Sequence, residues 1–211
     1  MPNDNVKKII SLGLTLFSVT AITGVILGVV HDITLEPIRV TQEGLRTEAL
    51  KGALPEADEF SALEVAGGAN PMIKDVQEAT AGGGVSGYCI TVAPRGYAGP
   101  VELIAGITND GNLRAIRILN QSETPGLGAK SARREFYEQF KDASEIKVVK
   151  TKPEAPGEIQ AISGATITSN SVASGVNTAL AYWKNHLAAG ASGEPGEGEA
   201  LSGASPPANG E

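Results

Sequence analysis

Ser163-Gly164-Ala165-Thr166-Ile167-Thr168-Ser169 sets four hydroxyls beside a glycine, just ahead of a segment that starts near Asn170 and has helical periodicity. In that segment Val172, Val176, Leu180, Trp183 and Leu187 fall on one side. The first turn of a helix leaves backbone N–H groups without intrahelical partners and carries the positive end of the macrodipole. A phosphate is therefore stabilised there without any lysine. Thr168 or Ser169 is the expected side-chain cap. The run is not a Walker A loop, because the second glycine and the Gly-Lys pair that hold a nucleoside triphosphate are missing. By itself it is equally compatible with an ordinary helix cap.

Upstream, two short strands near Ile146 to Val149 and Ile159 to Ile162 flank a Pro/Gly-containing connection, and the second leads into the hydroxyl-rich run. Before them, a helix is expected from about Ser131, with Ala132, Phe136 and Phe140 at four-residue spacing. The loop Glu123-Thr124-Pro125-Gly126-Leu127-Gly128 precedes that helix. A Pro-Gly pair often does no more than shape such a turn. Further back, Tyr88 to Ala93, Val101 to Thr108 and Leu113 to Leu119 read as a β-meander. Asn109 to Asn112 supplies its hairpin, and Arg95 to Pro100 a looser turn. Pro55 to Gly84, with charges and glycine clusters, reads as irregular connections around one short element.

Ile9 to Val30 is uncharged and apolar, interrupted only by small residues, and meets the ~20 residues a spanning helix needs. Lys7 and Lys8 precede it, which places residues 1–8 in the cytoplasm and the domain outside. The run is long for a signal-peptide core and no A-x-A site follows it, so a retained anchor is expected. A second helix is expected from Pro37, with Ile38, Leu45, Ala49 and Leu54 on one face. Residues 189–211 are too poor in apolar side chains to offset ordering entropy and are expected to be a disordered tail.

Composition narrows the chemistry. A net charge of −7 without a Lys/Arg cluster argues against nucleic-acid binding. A single cysteine, Cys89, allows neither an internal disulfide nor an iron–sulfur cluster, and its apolar surroundings suit a buried small hydrophobe. The two histidines, His31 and His186, lie far apart in sequence, so no metal site and no hydrolase constellation is expected.

With SGATITS and ETPGLG both present and an N-terminal anchor, the chain resembles the FMN-binding domain found in two related membrane complexes. These are the G subunit of the Rnf electron-transport complex and the C subunit of the sodium-translocating NADH:quinone reductase. The compact length favours the former. The resemblance covers roughly residues 5–188 and implies an α+β fold, an antiparallel sheet packed by helices, preceded by one transmembrane helix over 9–30. Residues 31–188 would form the extracytoplasmic domain of a single-pass protein in a bacterial or archaeal cytoplasmic membrane.

It also implies FMN bound covalently through a phosphoester to Thr166. Ser163, Gly164, Ala165, Thr168 and Ser169 would surround the phosphate. Gly126 and Gly128 would bring backbone amides near the flavin ring, Pro125 would stiffen the loop, Leu127 would cover a ring face, and Glu123 and Thr124 complete the motif. The protein would carry electrons within an ion-translocating oxidoreductase, with the other membrane subunits, lipid and a maturation flavin transferase as partners. One residue departs from the pattern: the transferase of this family reads an aspartate three positions before the motif serine, where this chain has Gln160. That departure is the argument for the alternative, an assembly subunit of the same complex without flavin. A third reading, an extracytoplasmic small-molecule binding module, would hold an exchangeable ligand.

Overall fold

The computed structural model describes residues 2–188 and, of these, all side chains except those of residues 2–5 and 35–38. The expected tail, 189–211, lies outside the described residues. The chain divides into an N-terminal unit, Met1–Glu48, and a second unit from Ala49 onward.

The first unit is helical throughout, part of one helix, α1, that runs Pro2–Ala53. Its stretch from Val6 is long and apolar enough to cross a membrane. Phe17, Ile22 and Ile26 are exposed, as a lipid-facing surface requires. The small polar residues within it donate to carbonyls one turn back, Thr15 to Ser11 at 2.8 Å, Ser18 to Leu14 at 2.8 Å and Thr23 to Val19 at 2.9 Å. No hydroxyl among these is left bare in an apolar setting. The expected new helix at Pro37 is corrected, because the proline stands inside α1. It removes one i→i−4 hydrogen bond, yet residues 31–36 contain neither glycine nor proline to end the helix first. Ile38, expected on its apolar face, lies outside the described side chains, and Leu45 is exposed.

The second unit is an antiparallel sheet of order β1-β2-β3-β4-β5 with helical segments on both faces. The strands are β1 Glu59–Leu63, β2 Ile73–Ala81, β3 Gly84–Val92, β4 Glu102–Thr108 and β5 Leu113–Asn120. On one face the last turn of α1 and its exit place Leu50, Ala53, Leu54 and Ala57 against Ala79, Cys89 and Ile104. On the other, α3 (Thr166–Tyr182) and the short helical turns around α2 (Arg134–Tyr137) bury Val76, Ile90, Leu103, Ala105, Ile107 and Ile116. β4 is covered on both sides, which is why Leu-Ile-Ala-Gly-Ile reads as a continuous apolar run. Cys89 is fully buried, and burial pushes its thiol up to about 12, so it stays protonated and packs as a small hydrophobe.

Residues 55–84, expected to be mostly irregular, instead supply β1 and β2. The alternation that would reveal β2 is broken by a bulge between Ile73 and Asp75. Ile73 and Val76 thereby enter the same core at a spacing of three, which a regular strand forbids. The glycine run is a tight hairpin: Ala81 pairs with Gly84, and Gly82 and Gly83 carry φ of 58° and 85°. The helix expected from Ser131 is also corrected, since only single turns form over Gly128–Ala132, α2 and Glu138–Phe140. Phe136 and Phe140 still meet edge to face at 5.4 Å inside the core. Two short parallel strands, β6 Lys147–Val149 and β7 Glu158–Gln160, complete the unit.

Gly106 faces the end of α1, and a methyl group there would run into the backbone carbonyl of Ala53. Gly106→Ala in the full chain is expected to lower unfolding free energy by about 1–3 kcal/mol. Urea denaturation in detergent measures it; an unchanged midpoint would contradict this close approach.

Candidate flavin site

The approach to α3 is built by the backbone. From β7 the chain turns through Gly164, at φ 77°, and Ala165 N–H bonds to the carbonyl of Ile162 at 2.9 Å. The helix then begins at Thr166, earlier than the sequence suggests, with Ala165 at the cap position and no side chain capping it. The hydroxyls expected to cap it, or to serve an anion, are used inside the fold. Ser169 Oγ accepts from Ile162 N–H at 2.9 Å and donates to the Ala165 carbonyl at 3.0 Å. Thr168 Oγ1 donates to Glu123 Oε2 at 2.5 Å, with both side chains buried. The uncapped first turn therefore keeps its backbone N–H groups for an outside acceptor.

Glu123 joins three segments. It is 5% exposed, its Oε1 accepts from Ala98 N–H at 2.9 Å, and its own N–H is held by Gln121 Oε1 at 2.6 Å. Gly128 packs so closely on Glu123 and Thr168 that any side chain would strike both. Glycine at 128 thus serves this carboxylate–hydroxyl contact first. Around it, Leu127 N–H and Ala129 N–H both bond to the Thr124 carbonyl, at 3.1 and 3.2 Å, closing the loop, and Gly126 supplies the positive φ of 78°.

The two motifs frame one cleft of about 610 Å³, a size suited to a nucleotide-sized ligand. Gly164 and Ala165 from the turn before α3 and Thr166 and Thr168 from its first turn line it, with Glu123, Thr124, Leu127 and Gly128 from the opposing loop. Thr166 is partly exposed. The remaining expected residues stand elsewhere. Ser169 is turned into the core, Pro125 and Gly126 are exposed and do not line the cleft, and Ser163 borders a neighbouring depression of about 340 Å³ with Gln160, Lys130 and Arg133. Tyr97 and Ile167 line the cleft without having been expected to. The signal for Tyr97 is an aromatic between two glycines in a turn, and for Ile167 an apolar residue in a polar motif. A larger groove of about 700 Å³ lies between α3, the start of β2 and β6, lined by Ile73, Val148, Asn170 and Asn177 among others, and contains none of the motif positions.

The cleft has features FMN needs. An isoalloxazine ring wants apolar walls, which Leu127 and Ile167 provide, and a phosphate wants an uncapped helix start beside it.

Comparison with known proteins agrees. Residues 96–181 match the FMN-binding domain family. The chain is 36% identical over 194 residues to the G subunit of the Na(+)-translocating ferredoxin:NAD(+) oxidoreductase complex of Acetobacterium woodii, covering 85% of this chain and 93% of that protein. It is 31% identical over 180 residues to the G subunit of the ion-translocating oxidoreductase complex of Methanosarcina acetivorans, with 83% and 95% covered. It is 35% identical over 161 residues to the G subunit of the proton-translocating ferredoxin:NAD(+) oxidoreductase complex of Clostridium ljungdahlii, with 75% and 83% covered. The C subunit of the Na(+)-translocating NADH-quinone reductase of Parabacteroides distasonis shares the fold, at a TM-score of 0.54 and 20% identity, covering 71% of this chain and 95% of that one. With its α+β FMN-binding domain and apolar N-terminal helix, the chain belongs to the G subunits of the ion-translocating oxidoreductase (Rnf) complexes.

Proposed function

We propose that the domain carries FMN through a phosphoester to Thr166 and serves as an electron carrier on the outer side of the cytoplasmic membrane. The observation that carries this reading is Thr166 itself: a threonine at the first position of an uncapped helix, lining an apolar-walled cleft. Thr168, the near rival, is 1% exposed and its hydroxyl is donated to Glu123. Attachment requires an activated flavin nucleotide delivered by a transferase. The Thr166 oxygen bonds to phosphorus, the nucleotide leaving group departs, and the hydroxyl proton is lost. FMN, once bound, supplies one- and two-electron redox chemistry.

The chain's own residues hold and shield it. First-turn N–H groups offset the phosphodiester charge, while Leu127 and Ile167 keep water from the ring. Glu123 and Thr168 fix the helix carrying Thr166 against the loop carrying Leu127. Residues of the other subunits would complete the electron path.

Gln160 favours the second reading, an assembly subunit without flavin. Its side chain is exposed beside Ser163, on a surface a transferase can reach. Co-production with a flavin transferase should give a denatured band that fluoresces under ultraviolet light, lost in Thr166→Val and equal or stronger in Gln160→Asp. Fluorescence that persists in Thr166→Val would reject the attachment site, and a dark wild-type band that lights up in Gln160→Asp would support the assembly role.

The proposed orientation rests on Lys7 and Lys8 ahead of the apolar stretch. A reporter that works only outside the cytoplasm should be active when fused after Leu187. Activity of a cytoplasmic reporter at that point instead would reverse the topology.

A further inference from the structure

Resting on the flavin reading above, we infer that Tyr97 is the aromatic wall of the cleft, the side chain against which the isoalloxazine ring stacks. Outside α1, the large hydrophobic side chains left exposed among the described residues are Val85, Tyr97, Leu127 and Ile167, at 37%, 71%, 42% and 57%. All but Val85 line the same cleft as Thr166. Exposed apolar side chains are ordinary when scattered singly, but a cluster bordering one concavity marks a surface that a ligand covers. Tyr97 is the aromatic member, and a flat conjugated ring is the ligand that gains most from stacking on a phenol.

The loop that bears Tyr97 is held rigid while its tip is left bare. Arg95 bridges to Pro100, Gly96 N–H bonds to the Gly99 carbonyl at 2.7 Å, and Val101 N–H bonds to the Pro94 carbonyl at 2.9 Å. Gly96 is packed against the Glu123 carboxylate and Val101, where no side chain would fit. The residue after Tyr97 is tied by Ala98 N–H to Glu123 Oε1 at 2.9 Å, and Glu123 is tied in turn to Thr168, two residues beyond Thr166. One buried carboxylate thus sets the distance between the attachment residue and the aromatic. Glu123 is a positioning residue in this arrangement, and Tyr97 is the contact. An aromatic carried on a backbone that is set before the ligand arrives has little more than its own side-chain freedom to lose on stacking.

The test uses the full chain in detergent, co-produced with flavin transferase, with loading measured first by the mass of the denatured protein. Loaded wild type is compared with Tyr97→Phe, Tyr97→Ala and a control, Tyr137→Phe, whose ring lies under the Arg117 guanidinium at 4.7 Å and outside the cleft. A phenol stacked on a flavin quenches its emission by donating an electron to the excited ring. Emission per bound flavin should therefore rise in both Tyr97 variants and stay at the wild-type level in Tyr137→Phe. The flavin's induced circular dichroism in the visible should be kept in Tyr97→Phe, which preserves the stacking surface, and reduced in Tyr97→Ala. Loaded Tyr97 variants with wild-type emission and dichroism would overturn the inference while leaving the attachment reading intact. A wild type whose mass shows no flavin would overturn both.

Discussion

The buried Glu123 carboxylate holds the site together, because its two oxygens accept from different parts of the chain. One takes the Thr168 hydroxyl of α3 and the other the Ala98 amide of the turn after β3. A carboxylate taken from water into such a place is costly unless both oxygens are satisfied, and removing one donor would leave it partly bare. Glycines at 96 and 128 admit it, since a side chain at either would strike its oxygens. The motif glutamate therefore has a structural reason to be present whatever else it does. It ties three segments that are distant in sequence together around one cleft.

The sheet provides the rigidity that this arrangement needs. α3 packs Val172, Val176 and Ala179 on one face, the end of α1 packs Leu54 and Ala53 on the other, and the tight hairpins β2–β3 and β4–β5 tie the strands between them. A redox carrier benefits from such a frame, because a cofactor fixed in one position keeps a constant distance to its electron partners. The proposed covalent attachment would serve the same end. If the domain lies outside the cytoplasm as proposed, no flavin pool replaces a lost nucleotide there, and the proposed bond through Thr166 would remove the need for tight reversible binding. The cleft could then stay open, with its apolar wall residues Tyr97, Leu127 and Ile167 exposed.

Much of this is legible in the sequence where local pattern and tertiary demand coincide. The meander over β3, β4 and β5, the apolar stripe of α3 and the membrane-length apolar stretch each leave a local signal, as apolar runs bounded by turn residues, a helical stripe and an unbroken apolar length, and the structure has each of them. β2 is hidden because its bulge puts Ile73 and Val76 on one side at a spacing no strand template contains. The continuity of α1 through Pro37 is hidden because proline is a stronger helix-start signal than an interior residue. In the site, the two motifs do converge on one cleft, but the hydroxyls of Thr168 and Ser169 are spent on the fold. Side-chain donors cannot be apportioned between ligand and backbone from sequence alone. Tyr97 carries no periodic signal, since what distinguishes it is being left unpacked.

The central claim is that one flavin nucleotide is bonded to one threonine. Intact-mass spectrometry of the protein purified from its native membrane, followed by mapping of the peptide containing Ser163 to Ser169, tests it most directly. The predicted result is a mass above the sequence value by one FMN residue, carried on Thr166. An unmodified mass, or the flavin found on any other residue, would contradict it.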